Sequence, residues 1–270
     1  MLLLLACPFV GSAQYKFPIE PFFSYFKHAD RYEIGVNYVM PTGTFDGVTP
    51  VLGYNNYYLG DTTIRRSLKA NPGYGASVGI AVPFAATGHI ALFAVSIHAM
   101  FNQYSFDQVN SYMSVEDGSF KKSPANMTST TSQIALPIGI DWKIGSDAIC
   151  SKRLFFSAAL GAGVMPQVNL TSVSASGGPT GTTFNATPYF KAEGAVYVGI
   201  NVRIRAMYYP GNVRLIDNPG AIPGYSDGPF RLTNNGNFMV SLILQPFSKR
   251  WSESSWYNDY DSYNWNEHLN

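Results

Sequence analysis

The chain has 270 residues, of which only 13% are charged and 15% are aromatic, with a formal net charge of +1. Soluble domains carry about 25% charged residues, so this balance favours a membrane, and the near-neutral charge gives no reason to expect a nucleic-acid partner. No stretch after residue 13 approaches the ~20 continuous apolar residues of a spanning helix, so any spanning structure must be made of strands.

Met1 to Ala13 is an apolar run closed by Gly11, Ser12 and Ala13, the form of a secretory signal cleaved before Gln14. It is short and lacks a basic start. Leu4-Leu5-Ala6-Cys7 gives a second reading, a lipobox with Cys7 lipidated. Cleavage after Ala13 leaves Cys150 alone in the mature chain, which rules out a disulfide framework. Residues 14–30 are aromatic, carry two prolines and follow no period, and read as an irregular periplasmic lead-in.

From Arg31 to Met40 the chain alternates, with Tyr32, Ile34, Val36, Tyr38 and Met40 on one face and Arg31, Glu33, Gly35, Asn37 and Val39 on the other. A period of two predicts a strand. A long polar segment to Gly73 follows, and then Tyr74–Phe84 and Ile90–Tyr104 form an alternating hairpin around Ala85–His89. A second polar segment, 105–131, leads to Gln133–Gly145. There Ile134, Leu136, Ile138, Ile140, Trp142 and Ile144 oppose Gln133, Ala135, Pro137, Gly139, Asp141 and Lys143. Pro137 cannot donate to a ladder, so a bulge or a missing hydrogen bond is expected there.

Leu154–Met165 is the next strand, followed by a polar segment at 166–186. Tyr189–Val198 carries Lys191 and Glu193 on one face, and Val202–Tyr209 carries Arg203 and Arg205. A turn centred on Ile200 sets Arg205 beside Ala195 and diagonal to Glu193. A fourth polar segment, 210–236, precedes Phe238–Phe247, where Met239, Ile243 and Phe247 blur the alternation.

Eight strands joined by connections that alternate long and short describe an antiparallel up-and-down barrel in an outer membrane, with four long outer loops and short periplasmic turns. Each segment has about the 9–11 residues of a tilted spanning strand. The expected organisation is a signal at 1–13, a lead-in at 14–30, a barrel at 31–247 and a periplasmic tail at 248–270.

Leu136-Pro137-Ile138-Gly139-Ile140-Asp141-Trp142-Lys143-Ile144 and Phe155-Phe156-Ser157-Ala158-Ala159-Leu160-Gly161-Ala162-Gly163 resemble the fourth and fifth strands of small outer-membrane barrels, the OmpA-like, eight-stranded type common in Bacteroidetes. Ser12-Ala13-Gln14 fits the signal cleavage of that family. The resemblance spans 31–247 and implies location and fold but little about activity. The chain departs from it at the end, where Phe247 is followed by 248–270 instead of stopping at a terminal aromatic.

Arg31, Glu33, Asp141, Lys143, Lys191, Glu193, Arg203 and Arg205 share the polar face. They are prohibitive toward lipid and are expected inside, as a network of acids and bases filling a narrow barrel. Ser96 and His98 point to one face, the arrangement of a nucleophile and base in a lipid-modifying enzyme, but no acidic orienter is evident. Asn126, Asn169 and Asn185 match glycosylation acceptors and read as ordinary loop sequence. His28, His89 and His268 lack metal-ligand spacing, and Gly161-Ala162-Gly163 precedes no helix, so neither metal nor cofactor is expected. In the tail, Trp251, Trp256, Tyr257, Tyr260, Tyr263 and Trp265 accompany Glu253, Asp259, Asp261 and Glu267, as a solvated acidic tail or as a docking segment for a larger outer-membrane complex.

The expected protein is therefore non-enzymatic, surrounded by outer-membrane lipid, and binds through its loops and tail. The rivals are a lipid A acyl hydrolase or acyltransferase barrel and a soluble lipocalin-like carrier.

Overall fold

The computed structural model describes residues 31–68, 70–86, 91–107, 111–114, 120–122, 128–145, 156–174, 178, 180–218 and 230–248. The signal, the lead-in, Cys150, Asn126, the other three histidines and the tail from 249 onward lie outside these residues. Among the described residues twelve strands form one sheet: β1 (Tyr32–Leu52), β2 (Tyr58–Leu68), β3 (Ala70–Ala86), β4 (Ala91–Asp107), β5 (Ser111–Ser114), β6 (Phe120–Lys122), β7 (Thr128–Ala135), β8 (Ile138–Gly145), β9 (Phe156–Val173), β10 (Thr180–Tyr197), β11 (Asn201–Asn218) and β12 (Phe230–Gln245).

The sheet closes on itself where β1 pairs with β12, from Ile34 opposite Leu244 to Gly47 opposite Phe230. The wall is an antiparallel barrel of eight staves, two of them made of successive strands. β3 pairs with the first part of β1 and β2 with its second part, so they form one stave. β7 and β8 form another, running between β4 and β9.

Pro137 accounts for the gap between β7 and β8. Met100 opposes Ala135 and Ile97 opposes Ile138, so the register continues across the gap without a bulge. The Pro137 carbonyl accepts from the His98 N–H at 3.0 Å, and the Leu136 N–H donates to the Pro166 carbonyl at 2.8 Å. Of the two outcomes expected for Pro137, the missing proline donor is what occurs, and the barrel stays closed.

The β10–β11 turn differs from expectation. Glu193 lies directly opposite Arg205, and Ala195 opposite Arg203. The hairpin pivots on Gly199, whose φ of +100° suits a residue without a Cβ.

The larger difference is strand length. Much of the polar segments 41–73, 166–186 and 210–236 is strand, because β1, β2, β9, β10, β11 and β12 continue far past the apolar stretch. Asn169 and Asn185 consequently lie on β9 and β10, not in loops. The end carrying the long connections (the loop end) therefore projects as extended sheet, while the opposite turn end stops close to the apolar stretch. At the loop end β5 pairs in parallel with Val51 and Leu52 of β1. Since β2 holds the other edge of β1 there, the β4–β7 connection reaches the β12 side of β1.

The outer face carries an apolar belt. On β1 it runs from Tyr32 to Met40, a height of about 20 Å for a strand tilted by ~40°, near the ~25 Å band of outer-membrane barrels. Aromatic residues border it on both sides. Tyr32, Phe84, Trp142 and Phe156 lie toward the turn end, and Tyr38, Tyr74, Phe101, Tyr208 and Phe238 toward the loop end, all exposed. Such girdles mark the two interfaces of a bilayer.

Candidate functional site

Alternation along each stave turns the polar set inward, and every one of its eight members is buried: Arg31, Glu33, Asp141, Lys143, Lys191, Glu193, Arg203 and Arg205. Near the turn end, Glu33 on β1 accepts from Arg203 Nη1 at 2.6 Å, from Arg205 Nη2, and from Gln245 Nε2 at 3.5 Å. Across the barrel, Glu193 Oε1 accepts from Arg205 Nε at 2.6 Å and Glu193 Oε2 from Arg203 Nη1 at 3.0 Å. Two guanidiniums and two carboxylates thus make a ring in which each cation touches both anions.

Lys191 extends this ring. Its Nζ lies 3.3 Å from Glu193 Oε1 and 2.8 Å from Asp141 Oδ2, and it donates to Ser96 Oγ at 3.0 Å. Ser96 donates to Asp141 Oδ1 at 3.1 Å. Arg31 and Lys143 are buried on the same inner surface. Burying a charge costs several kcal/mol, and only dense pairing and hydrogen bonding of this kind offsets that. A shallow recess at the turn end, too tight for a water molecule, is lined by Glu193 and Arg203 together with Ser157, Ala158, Ala159 and Ala195.

Ser96 and His98 share this interior but serve different parts of it. Ser96 is bonded to Asp141 and Lys191, whereas His98 Nε2 lies 3.0 Å from Glu33 Oε2. The acidic partner of His98 is thus Glu33, 65 residues away on β1 and invisible to any local motif. No hydrogen bond joins Ser96 to His98 among the described residues. Lys191 faces two carboxylates and acts as a counter-ion to them, which is not the setting of a general base.

Glycines make room for these groups. A Cβ on Gly79 would stand 2.1 Å from His98 Cδ2, and one on Gly161 would stand 2.4 Å from Asp141 Oδ1 and 2.7 Å from Lys191 Cε. Gly161-Ala162-Gly163 is thus a strand segment whose first glycine accommodates the Asp141–Lys191 pair.

A second network, uncharged, went unread in the sequence. Ser77 Oγ donates to Asn37 Oδ1, Asn37 Nδ2 to Asn102 Oδ1, and Asn102 Nδ2 to Gln133 Oε1. Gln133 Nε2 donates to Gln167, Tyr209 Oη donates to Gln133 Oε1 at 3.2 Å, and Asn237 Nδ2 donates to Tyr209 Oη at 2.8 Å. These residues come from β3, β1, β4, β7, β9, β11 and β12, so one connected belt links seven of the eight staves. The usable signal was the inward parity of Asn37, Asn102 and Gln133. Toward the loop end the interior turns apolar, with Phe45, Phe106, Phe230, Leu215 and Leu232 buried and Phe45 edge-on to Phe230 at 5.0 Å.

Among the described residues no group of three or more His, Cys, Asp or Glu is arranged to hold a metal ion. Trp251, Trp256, Tyr257, Tyr260, Tyr263 and Trp265 lie outside the described residues.

No family model matches the chain, and no curated protein does. Among solved structures it is similar to the outer membrane protease OmpT from Escherichia coli, with TM-score 0.41 and 11% identity over 80% of this chain and 96% of that one. It is also similar to Ail, the attachment invasion locus protein of Yersinia pestis (TM-score 0.31, 10% identity, 79% and 98% of the two chains). A third is Neisserial surface protein A, at TM-score 0.32 and 9% identity over 79% and 96% of the two chains. The closed antiparallel wall, the girdled apolar belt outside and the charged interior make this chain an integral β-barrel of the bacterial outer membrane.

Proposed function

We propose that the barrel is a sealed, non-enzymatic carrier of binding surfaces, with its loop end outside the cell and its tail available to a partner complex in the periplasm. The observation that carries this reading is the filled interior: a charged ring, an amide belt and an apolar plug succeed one another from turn end to loop end. Side chains so engaged with one another leave little room for a substrate or a stream of ions. The long strands beyond the belt place the protein's unspent surface at the loop end, where outer-membrane barrels carry their extracellular loops. A soluble lipocalin-like carrier needs the reverse distribution, a greasy interior and a wet exterior.

Planar-bilayer recording of the reconstituted protein tests the reading, with no steady conductance expected; a stable open pore would overturn it. For the lipid-modifying rival, His98→Ala should leave lipid A and phospholipid composition unchanged. A detergent pull-down of the full chain beside a version ending at Phe247 tests the tail, and equal recovery of partners by both would remove the docking role of Trp251 to Trp265.

A further inference from the structure

Past the belt the outward parity of β1 continues through Thr42 and Thr44 to Asp46, and the neighbouring strands carry charge in the same row. Asp46 opposes Arg65 on β2 and Arg231 on β12, and Arg231 opposes Asp217 on β11. One row nearer the belt, Thr44 opposes Ser67 and Thr233, and Thr233 opposes Arg214. The outer wall of four adjacent strands thus presents three guanidiniums, two carboxylates and three hydroxyls side by side. We infer that this face binds the phosphorylated saccharide head of an outer-leaflet glycolipid standing beside the barrel.

The carboxylates brace the arginines. Arg65 meets Asp46 through Nε at 3.4 Å, Arg231 meets Asp217 through Nε at 3.1 Å, and Arg214 meets Asp217 through Nη1 at 2.9 Å. Bracing through Nε turns the two terminal nitrogens of Arg65 and Arg231 outward, the pair that grips a phosphate as a bidentate fork. The side chains of Arg65, Arg214 and Arg231 are 76%, 60% and 41% exposed, so an anion can reach all three. Arg65 and Arg231 flank β1 on its two sides with Cα atoms about 10 Å apart, close enough for both forks to meet on one phosphate. Three cations against two carboxylates leave the face positive.

Height and direction select the ligand. Asp46 is six residues past Met40, which sets its row about 15 Å above the loop-end border of the belt for a strand tilted by ~40°. The headgroup layer of an ordinary bilayer is about 5–8 Å thick on each side, so a phospholipid phosphate stops short of the row. The face looks sideways over the membrane surface, because it is the continuation of the lipid-facing wall. An anion at that height and beside the wall belongs to a lipid with a tall saccharide head, whose phosphates meet the guanidiniums and whose hydroxyls meet Ser67, Thr44 and Thr233.

The inference rests on the outward loop end proposed above. The test titrates the full-length protein in detergent with lipopolysaccharide of phosphorylated core, with the same lipid after chemical dephosphorylation, and with phosphatidylglycerol, and reads bound lipid by native mass spectrometry. The phosphorylated lipid should bind at least about tenfold more tightly than either of the others, and inorganic phosphate at millimolar concentration should not displace it. The double variant Arg65→Gln, Arg231→Gln should bind it about tenfold more weakly, with thermal unfolding close to wild type because both side chains are exposed. Equal affinity with and without the phosphates, equal affinity for phosphatidylglycerol, displacement by inorganic phosphate, or unchanged binding by the double variant overturns the inference. The comparison of lipids uses wild-type protein and needs no variant to fold. Binding is read without membrane orientation or conductance, so the sealed-barrel reading stands or falls separately.

Discussion

Glu33 is the side chain on which most of the charged interior converges, accepting from Arg203, Arg205 and Gln245 and facing His98. Replacing it by Gln leaves two buried guanidiniums short of an anion, and urea unfolding from vesicles should show a loss of about 3–5 kcal/mol. The exposed pair Arg65–Asp46 has the same chemistry without the burial. Asp46→Asn should change stability by less than about 1 kcal/mol in the same assay. Gly161→Ala should destabilise by about 1–3 kcal/mol, since its methyl would press on Asp141 and Lys191.

Beyond the belt, Asp217 sits between Arg231 and Arg214 on the outer face of the projecting sheet. The hydrogen bond from Arg231 Nε at 3.1 Å, with the charges of both arginines, holds its carboxyl below the ordinary value of 3.8. A depressed carboxyl contributes stability that is present above that ordinary value and is lost as pH falls toward and through the folded one. Arg231→Gln should move the Asp217 titration back up toward 3.8, followed by NMR of its side-chain carboxyl.

At the scale of the element, Pro137 allows a clean measurement. The Pro137 carbonyl already faces His98, so in Pro137→Ala the new N–H points toward the His98 carbonyl and completes the rung. Hydrogen exchange should find that amide as protected as its neighbours. The stability change should be small, because a rung worth about 0.5–1.5 kcal/mol is offset by the freer unfolded chain that loses a proline.

The staves were readable only where their two faces differ. Between Tyr32 and Met40, lipid outside and packed groups inside impose alternation, and the strand declares itself. Beyond Met40, water outside tolerates Thr42, Thr44 and Asp46, and the period of two weakens although the strand continues to Leu52. The same loss of contrast hid the outer halves of β9, β10 and β11. On β12, Met239 and Ile243 blurred the pattern because they are apolar side chains that face inward, where both are buried, while Phe247 is exposed past the strand end. The inward charges were legible because lipid forbids them outside. Their pairings were not, since Glu33 and Arg203 are 170 residues apart and meet only through closure.

At the scale of the molecule, the eight buried charged residues among the described ones comprise five cations and three carboxylates, and the outer face of the belt is Ile, Val, Leu, Phe, Tyr and Trp. That inversion of a soluble protein should keep the native chain in the membrane pellet through alkaline carbonate extraction. Release without detergent would contradict it.

The belt from Ser77 through Asn37, Asn102 and Gln133 to Tyr209 and Asn237 also constrains how the protein is made. The first hairpin entering the bilayer alone would carry Glu33 into hydrocarbon without its arginines, at about 2.5–3.5 kcal/mol for a central charge. Those arginines sit on β11, near the other end of the chain, so no intermediate that holds only the first few strands neutralises Glu33. Biogenesis must then bring the first and last strands together before or during entry, with the wall rolled up around its own polar filling as it crosses the interface.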